Sequence, residues 1–298
     1  MRILLTGKNG QVGGELNKIL TQFGEVTAAG KSEMDLSDPN QIRHTVREVS
    51  PELIINTGAY TAVDRAESEP DIARAINGTA PGILAEEAKK LQAVLIHYST
   101  DYTYSGKVRN KPYIESDPPD PISIYGETKF EGDKAIELSG APYFIFRSSW
   151  VYGLNGNSFL NTILRLAKVS DKLRVVDDQL GTPTWCRSIA DATEKIIKQL
   201  VDKGEGSFSE TVSGISGMYH MTCEGQTSWH GFAHAILKLT NPDLLPRLVA
   251  IPTTEYPTPA ARPAYSVLSN AKLHKIFGVK IPPWEDALKH CLDATDIF

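Results

Sequence analysis

A glycine-rich segment near the amino terminus places the strongest constraint on the fold. Gly7, Gly10 and Gly13 follow the apolar run Ile3–Leu5 and open an amphipathic segment near 11–22. The first glycine permits a tight turn, the second lets a phosphate approach the backbone, and the third lets helix and strand pack closely. The helix then offers free N–H groups and its positive dipole end to an anion. The segment therefore predicts a dinucleotide-binding strand–turn–helix, although its spacing is G-x-x-G-x-x-G and not G-x-G-x-x-G.

Apolar and amphipathic segments alternate through the first half of the chain. The apolar runs are Ile3–Leu5, Glu25–Ala29, Leu53–Ile55, Ala93–His97 and Tyr143–Phe146. Helix-like segments lie between them near 39–50, 70–91 and 125–139, and Asp38-Pro39 is typical of a helix start. Continuously apolar strands that alternate with helices are typical of a parallel sheet covered on both faces. The predicted fold class is α/β, with a Rossmann-type doubly wound parallel sheet.

The pattern changes after about residue 150. Proline and glycine become frequent, as in Gly181–Pro183 and Tyr256–Pro263, and the segments between them are shorter. A chain of 298 residues also exceeds the usual size of one domain. We predict a Rossmann domain over residues 1–150 and a smaller α/β substrate-binding domain that makes up most of 151–298. A strand and a helix within 173–200 are predicted to return to the first sheet.

Charge and composition exclude several classes of function. The net charge is −5 and basic residues form no block, which argues against nucleic acid as the main partner. The first apolar run is too short for a secretory signal, and no run approaches the roughly 18 apolar residues of a membrane span. The three cysteines are odd in number and far apart, as expected of reduced thiols. We expect a cytoplasmic protein with no membrane or nucleic-acid partner.

A tyrosine and a lysine lie one turn apart in the helix predicted near 125–139. Tyr125 and Lys129 share one helix face. Free tyrosine has a pKa near ~10, and a nearby ammonium group favours phenolate, which brings the pKa towards neutral. Thr100 follows an apolar strand at the carboxyl end, where doubly wound folds bind ligands. The predicted catalytic trio is Thr100, Tyr125 and Lys129, although a threonine at a strand end can instead serve the local backbone.

Cofactor preference depends on the end of the second strand. An acidic residue there would bind the 2′-hydroxyl of NAD, but this chain has Lys31. Lys31 either meets the 2′-phosphate of NADPH or is a solvated surface lysine, and both interpretations stay open. Asp35 and Leu36 are placed to line the adenine side. We expect NADPH as cofactor, with NADH possible.

No metal site is predicted. His230 and His234 have helical spacing, but the glutamate of the zinc-protease motif is absent and the neighbouring Trp229 and Phe232 favour packing. The glycine segment also lacks the Gly-Lys-Ser/Thr ending of a P-loop.

With these motifs the chain resembles the extended short-chain dehydrogenases/reductases and, more narrowly, the dTDP-4-dehydrorhamnose reductase family. The likeness extends over nearly the whole chain. Beyond the glycine segment and Tyr125–Lys129, it rests on Asn56–Asp64, His97–Tyr102, Phe146–Tyr152, Asp178–Thr184 and Tyr256–Pro263. The last two segments are the most specific, because they lie in the substrate half.

The resemblance implies roles for individual residues. The implied cofactor contacts are Gly10, Gln11, Val12, Asp35, Leu36, Ala59, Tyr60 and Thr61, and the implied substrate contacts are Asp101 and Trp150, beside Thr100 and Tyr125. Asn77 matches a helix asparagine whose role is more often structural. Trp150 could stack on a sugar or base, or be an ordinary core residue. Arg262 could clamp a diphosphate, or be a plain surface arginine.

The resemblance also implies the reaction and the partners. The expected reaction is reduction of the C4 keto group of dTDP-4-dehydro-L-rhamnose, a nucleotide-linked keto sugar, to give dTDP-L-rhamnose. A homodimer is possible, but Arg187 stands where some relatives have an acid that helps Glu15 hold magnesium, which argues against a metal-mediated dimer. Alternatives are another nucleotide-sugar reductase or epimerase, and a non-catalytic regulatory subunit. The last often lacks the tyrosine or lysine that this chain keeps.

Overall fold

The computed structural model describes residues 1–203, 207–212 and 214–294. The strands are β1 (Arg2–Thr6), β2 (Glu25–Ala29), β3 (Leu53–Asn56), β4 (Val94–Thr100), β5 (Tyr143–Ser148), β6 (Val151–Tyr152), β7 (Leu173–Val176), β8 (Leu180–Gly181), β9 (Thr184–Trp185), β10 (Gly217–His220), β11 (Thr227–Ser228) and β12 (Leu248–Ile251). The α-helices are α1 (Gln11–Ile19), α2 (Pro39–Val49), α3 (Val63–Ala66), α4 (Pro70–Arg74), α5 (Ala80–Leu91), α6 (Ile124–Ser139), α7 (Phe159–Ala167), α8 (Cys186–Asp202), α9 (Phe208–Val212), α10 (Trp229–Thr240), α11 (Ala271–Phe277) and α12 (Trp284–Asp293).

A six-stranded parallel sheet forms the centre of the molecule. Its strand order is β2-β1-β3-β4-β5-β10, and every neighbouring pair is parallel. The order runs outward in both directions from β1 and β3, which is the doubly wound arrangement. The predicted α/β class with a Rossmann-type sheet is therefore confirmed.

The sixth strand differs from the sequence-based expectation for 173–200. It is β10, whereas β7 pairs with β12 in a separate two-stranded sheet. The helix of that stretch does join the first half of the chain: α8 packs against α1, and its Ile189 and Ile196 share a hydrophobic cluster with Ile3 and Phe144. Only the helix, and not the strand, therefore returns to the central layer.

Successive residues of each strand point to opposite sides of the sheet, and a hydrophobic cluster covers each side. On β1, Ile3 and Leu5 join the cluster that contains the buried residues of α1 and α8, while Leu4 joins the cluster with α2, α5 and α6. The central strands β3, β4 and β5 alternate in the same way. This pattern matches the continuous apolar runs in the sequence.

The second half of the chain adds small sheets and helices. Two-residue strands pair as β6 with β9 and β8 with β11, while α7 and α10 contact each other. Cys186, Cys223 and Cys291 are buried and free, in agreement with the expected reduced thiols. Within the described residues, no helix is both long and apolar enough to cross a membrane.

Candidate active site

Helix α6 begins at a point that brings its first turn close to the end of β4. The Ser123 hydroxyl accepts the Gly126 N–H at 3.2 Å and caps the helix. Gly126 is required there, because a Cβ atom would lie 2.3 Å from the Tyr102 carbonyl oxygen. This close approach places Tyr125 beside the residues that follow β4, with the Tyr125 and Tyr102 ring centroids 5.6 Å apart.

Thr100 and Asp101 are buried at the end of β4, and the half-buried Tyr125 lies beside them. Thr100 donates its hydroxyl hydrogen to Asp101 Oδ1 at 3.1 Å, and its Oγ1 accepts the Tyr102 N–H. Burial raises the pKa of Tyr125 to about 12, which is the opposite of the predicted shift towards neutral, and a hydrogen bond with Thr100 opposes part of that rise. Burial also raises the pKa of Asp101 to about 6, against hydrogen bonds that include Ser266 and Thr100.

Lys129 is also buried and points at the sheet. Its Nζ donates to the Tyr98 carbonyl oxygen at 2.6 Å and lies 3.2 Å from His97 Nε2. Burial lowers the pKa of Lys129 to about 8, while the charge of Asp133 acts in the opposite direction. The amine therefore changes charge much closer to neutral pH than a surface lysine does.

A second layer of buried polar residues lies behind Lys129. Asp133 Oδ2 accepts two hydrogen bonds from Arg147, at 3.0 and 2.9 Å, and neither side chain is more than 1% exposed. Arg147 also donates to Tyr104 Oη, which contacts His220 Nε2 at 2.8 Å. The sequence analysis missed this layer. The available signal was a charged residue four positions after Lys129, facing an arginine at the end of an apolar strand.

The glycine segment has the geometry that binding of a diphosphate needs. Gly7 adopts φ +72°, and a Cβ on Gly13 would lie 2.2 Å from the Gly7 carbonyl oxygen, so helix and turn could not pack with any other residue. No side chain caps α1 at Gly10. The first-turn N–H groups of Gln11, Val12 and Gly13 therefore stay available for an anion. A cleft of about 630 Å³ opens beside Gly10 and Gln11.

The turn after β2 contains an acidic residue that the sequence analysis overlooked. Glu33 Oε2 accepts the Gly30 N–H at 2.7 Å and Glu33 Oε1 lies 3.2 Å from Lys8 Nζ. The hydrogen bond from Gly30 is the main cause that lowers the pKa of Glu33 to about 2. Lys31, in contrast, is 83% exposed and lies 4.0 Å from Asp35. Glu33 comes 20 positions after Gly13, the spacing at which the acid of the dinucleotide motif is expected.

The predicted adenine and nicotinamide contacts are held by packing and backbone hydrogen bonds. Leu36 packs against Gly58, where a Cβ would lie 2.4 Å from Leu36 Cδ1. Asn77 accepts the Tyr60 N–H at 2.8 Å and donates to the Tyr60 carbonyl oxygen at 3.0 Å. It also lies 3.4 Å from Thr128 Oγ1, beside Lys129. Asn77 thus fixes the Ala59–Thr61 segment relative to α6.

The predicted substrate residues Trp150 and Arg262 have different surroundings: Trp150 lies on Trp229, and Arg262 lies near Asp64 and Tyr102. Trp150 stacks on Trp229 with ring centroids 3.5 Å apart and an interplanar angle of 7°. Its backbone has φ +46°, a left-handed conformation that is strained for a tryptophan. Arg262 Nη2 donates to Asp64 Oδ2 at 2.8 Å. The charge of Arg262 reaches Tyr102, whose pKa burial raises, so this arginine belongs to the same region as Tyr125.

The described residues contain no group of three or more histidine, cysteine, aspartate or glutamate side chains that could hold a metal ion. Arg187 Nη1 lies 3.2 Å from Glu15 Oε2, and Lys18 Nζ lies 2.6 Å from Glu15 Oε1. His230 lies 3.7 Å from Asp177. The carboxylate of Glu15 is thus neutralised by two cations of its own chain.

Known proteins resemble this chain from end to end. A protein-family model described as "RmlD substrate binding domain" matches residues 1–297. A dTDP-4-dehydrorhamnose reductase of Burkholderia thailandensis is 43% identical over 299 residues, which cover 98% of each chain. Two solved dTDP-4-dehydrorhamnose reductases cover 99% of each chain. The Clostridium acetobutylicum structure has a TM-score of 0.88 at 35% identity, and the Bacillus anthracis structure, in complex with NADP, has 0.86 at 32%.

Proposed function

The chain belongs to the RmlD substrate binding domain family, and from that premise we propose that it is an NADPH-dependent dTDP-4-dehydrorhamnose reductase. It reduces the C4 keto group of dTDP-4-dehydro-L-rhamnose to the alcohol of dTDP-L-rhamnose. The observation that carries the proposal is the full-length match to reductases of this name, in a chain that keeps the half-buried Tyr125 together with the buried Thr100 and Lys129.

Three side chains carry the proton transfer in this proposal. Tyr125 gives its phenolic proton to the ketone oxygen as negative charge develops there. Because burial raises the pKa of Tyr125 to about 12, the phenol keeps its proton until that moment. Thr100 orients the Tyr125 hydroxyl, and Lys129 supplies positive charge and binds the nicotinamide ribose. NADPH, when bound, supplies the hydride that reduces the carbon.

The cofactor assignment rests on the fit of the first half of the chain. We assign the diphosphate to Gly7, Gly10, Gln11, Val12 and Gly13, where first-turn N–H groups are available. The adenosine side is assigned to Lys31, Asp35 and Leu36, and the nicotinamide side to Ala59, Tyr60, Thr61, Tyr125 and Lys129. The NADP complex of the Bacillus anthracis relative supports this choice.

The substrate assignment concerns Asp101, Trp150 and Arg262, with Thr100 and Tyr125. In this proposal most of 151–298 forms the substrate-binding domain, and 1–150 with α8 and β10 forms the Rossmann domain. Trp150 stacks on Trp229, and Gly181 lies against its ring, where a Cβ would be 2.4 Å from Trp150 Cε2. A sugar or base can therefore meet only the part of the ring that these two residues leave uncovered. Arg262 is held by Asp64, and we assign its remaining N–H groups to the diphosphate of the nucleotide sugar. A homodimer stays a prediction.

Steady-state kinetics with purified protein test the proposal. We expect oxidation of NADPH that depends on dTDP-4-dehydro-L-rhamnose. Tyr125→Phe removes one hydroxyl and keeps the ring, so the fold should survive while kcat falls by about 10²–10⁴. Tyr143→Phe is the matched control, because it removes the same group from a tyrosine of β5, and it should leave turnover unchanged.

Two outcomes would contradict the proposal in different ways. Turnover by Tyr125→Phe at the wild-type rate would refute the proton-transfer role. Binding of NADPH without turnover of any nucleotide keto sugar would instead favour a regulatory subunit. A panel of keto sugars with other bases separates this reductase from a related reductase or epimerase.

A further inference from the structure

A row of buried polar side chains crosses the sheet behind the catalytic helix. Thr6, Asn56 and His97 are in register on β1, β3 and β4, and none is more than 1% exposed. The residues two positions earlier on each strand belong to the cluster that contains Ile136 of α6, so the row faces that helix. Polar groups at this depth have to satisfy one another.

The row connects the cofactor-binding turn with the catalytic lysine. The Gly58 N–H lies 3.3 Å from Thr6 Oγ1, and Thr6 Oγ1 lies 2.6 Å from Asn56 Oδ1. Asn56 Nδ2 lies 2.9 Å from His97 Nδ1, and His97 Nε2 lies 3.2 Å from Lys129 Nζ. Each side chain of the row thus bridges its two neighbours.

The direction of the hydrogen bonds follows from the end at Gly58. Thr6 Oγ1 accepts the Gly58 N–H and gives its own hydrogen to Asn56 Oδ1. The Asn56 amide then donates to His97 Nδ1. A neutral imidazole has a single N–H, which must therefore be on Nε2, directed at Lys129 Nζ. A lone pair, and hence an uncharged amine, is the partner that this N–H needs.

The opposite direction of the hydrogen bonds in this row would leave the Thr6 hydroxyl hydrogen without an acceptor. An ammonium at Lys129 would face the Nε2–H with another N–H, unless His97 changed tautomer. That change requires the Asn56 amide to turn over and present its N–H to Thr6. Thr6 Oγ1 would then receive two N–H groups, and its own hydrogen would lose its acceptor. The row as a whole therefore favours the uncharged amine.

We propose that His97 is a positioning residue for Lys129: Thr6 and Asn56 fix its tautomer, and its Nε2–H stabilises the uncharged lysine amine. This inference rests on the proposed role of Lys129. The uncharged amine accepts the His97 Nε2–H and still donates to the Tyr98 carbonyl oxygen, so both neighbours of Lys129 Nζ are satisfied.

The electrostatic surroundings agree with this geometry. The titratable groups that act on Lys129 are Asp133 on α6 and His97 on β4. Burial lowers the pKa of His97 well below its ordinary value and keeps the imidazole neutral. Asp133 raises the pKa of Lys129 but is shared with Arg147. The row and the burial thus act together against the ammonium.

The test measures the titration of Lys129 directly. Thr6→Val has the same shape but no hydroxyl, so the Asn56 amide becomes free to turn and His97 free to change tautomer. Thr6→Ser keeps the hydroxyl and is the matched control. NMR of isotope-labelled lysine in the full chain, assigned with Lys129→Met, should show the titration midpoint raised by about one pH unit in Thr6→Val. In Thr6→Ser it should stay at the wild-type value. Equal midpoints in Thr6→Val and Thr6→Ser would overturn the proposal.

A second variant keeps the test decisive should Thr6→Val fold poorly. His97→Gln places an amide near the Nε2 position, and its oxygen can accept from the ammonium, so the midpoint should again rise. An unchanged or lower midpoint contradicts the inference. The basic limb of the pH profile of kcat should move with the midpoint, while KM for the sugar stays constant. Wild-type turnover by Lys129→Met would refute the proposed catalytic role and leave the titration result intact.

Discussion

At the scale of single residues, the turn after β2 contains both charges that matter for cofactor choice. Glu33 folds back onto the Gly30 N–H, whereas Lys31 extends into solvent. The sequence indicated a cation next to Gly30, but a turn reverses the chain after it and returns the acid to the strand end. Local order along the chain could not reveal that reversal. A carboxylate here can accept a hydrogen bond from the 2′-hydroxyl of NADH, whereas its negative charge repels the 2′-phosphate of NADPH.

Charge removal at Glu33 tests this arrangement. In Glu33→Gln the ratio of kcat/KM for NADPH to that for NADH should rise about fivefold, because a like charge near the phosphate is lost. Lys31→Ala should lower the same ratio by less than about threefold, since exposed charges are screened. Glu25→Gln, at the other end of β2, is the control and should change nothing. A ratio that is insensitive to Glu33→Gln would remove this residue from cofactor selection.

The proposed catalytic trio illustrates how far residue patterns can place side chains in space. Helical spacing alone placed Tyr125 and Lys129 on one face, and the carboxyl end of β4 placed Thr100 beside them. No role was predicted for His97, because a buried histidine in the middle of a strand has no local signature. Its importance depends on Asn56, which lies 41 positions earlier and meets it only through strand pairing.

At the scale of elements, α2 and α5 are joined by a buried carboxylate. Glu87 on α5 is 1% exposed, and it bonds Arg47 at 2.7 and 2.9 Å and Arg43 at 3.1 Å. The hydrogen bond with Arg47 is the main cause that lowers the pKa of Glu87 to about 2. A pKa lowered by folding stabilises the native state above the ordinary pKa, and that contribution disappears as the pH falls through the folded value.

Glu87→Gln should therefore destabilise the protein in a pH-dependent way. Near neutral pH the free energy of unfolding should fall by about 1–3 kcal/mol, and the difference from wild type should shrink as the pH falls from 4.5 towards 2. Urea unfolding at several pH values measures it. Glu86→Gln is the control, since Glu86 bonds the same Arg43 but is 53% exposed, and it should cost below about 0.5 kcal/mol. A difference that persists at low pH would refute the ionic origin.

The strands of the central sheet also show which pairings the sequence pattern does not predict. The strands β1, β3, β4 and β5 were predictable because each contains a run of residues buried on both faces, whereas β2 is buried only at Ala29. The sixth strand was not, since β10 contains Gly217 and His220 and has no such run. β7 has the more apolar sequence, Leu-Arg-Val-Val, but the exposed side chain of Arg174 suits a small separate sheet. Pairing partners depend on tertiary packing and not on the local pattern.

At the scale of the whole molecule, a loop near the carboxyl end is anchored to a helix of the first half. Asp64 on α3 accepts the Ala260 N–H at 3.2 Å and the Arg262 Nη2–H at 2.8 Å. Pro263 packs on Gly106, where φ is +68° and a Cβ would lie 2.3 Å from the proline ring. Among the described residues Arg262 Nη1 is buried without a hydrogen-bond partner. The loop is thus fixed while one donor of its arginine stays free for a ligand.

Neutralising Asp64 separates a ligand-binding arginine from a structural one. Asp64→Asn keeps the shape but weakens the hold on Arg262, so KM for the nucleotide sugar should rise about threefold to tenfold with kcat nearly constant. Arg262→Lys should raise KM further, because a lysine cannot form two parallel hydrogen bonds to a diphosphate. The double variant should be non-additive, since both changes affect one unit. Arg174→Lys is the control, as Arg174 pairs with Glu255 near the same loop in an exposed ion pair. If both variants lower the melting temperature and leave KM at the wild-type value, Arg262 only anchors the loop, and the diphosphate must be held elsewhere.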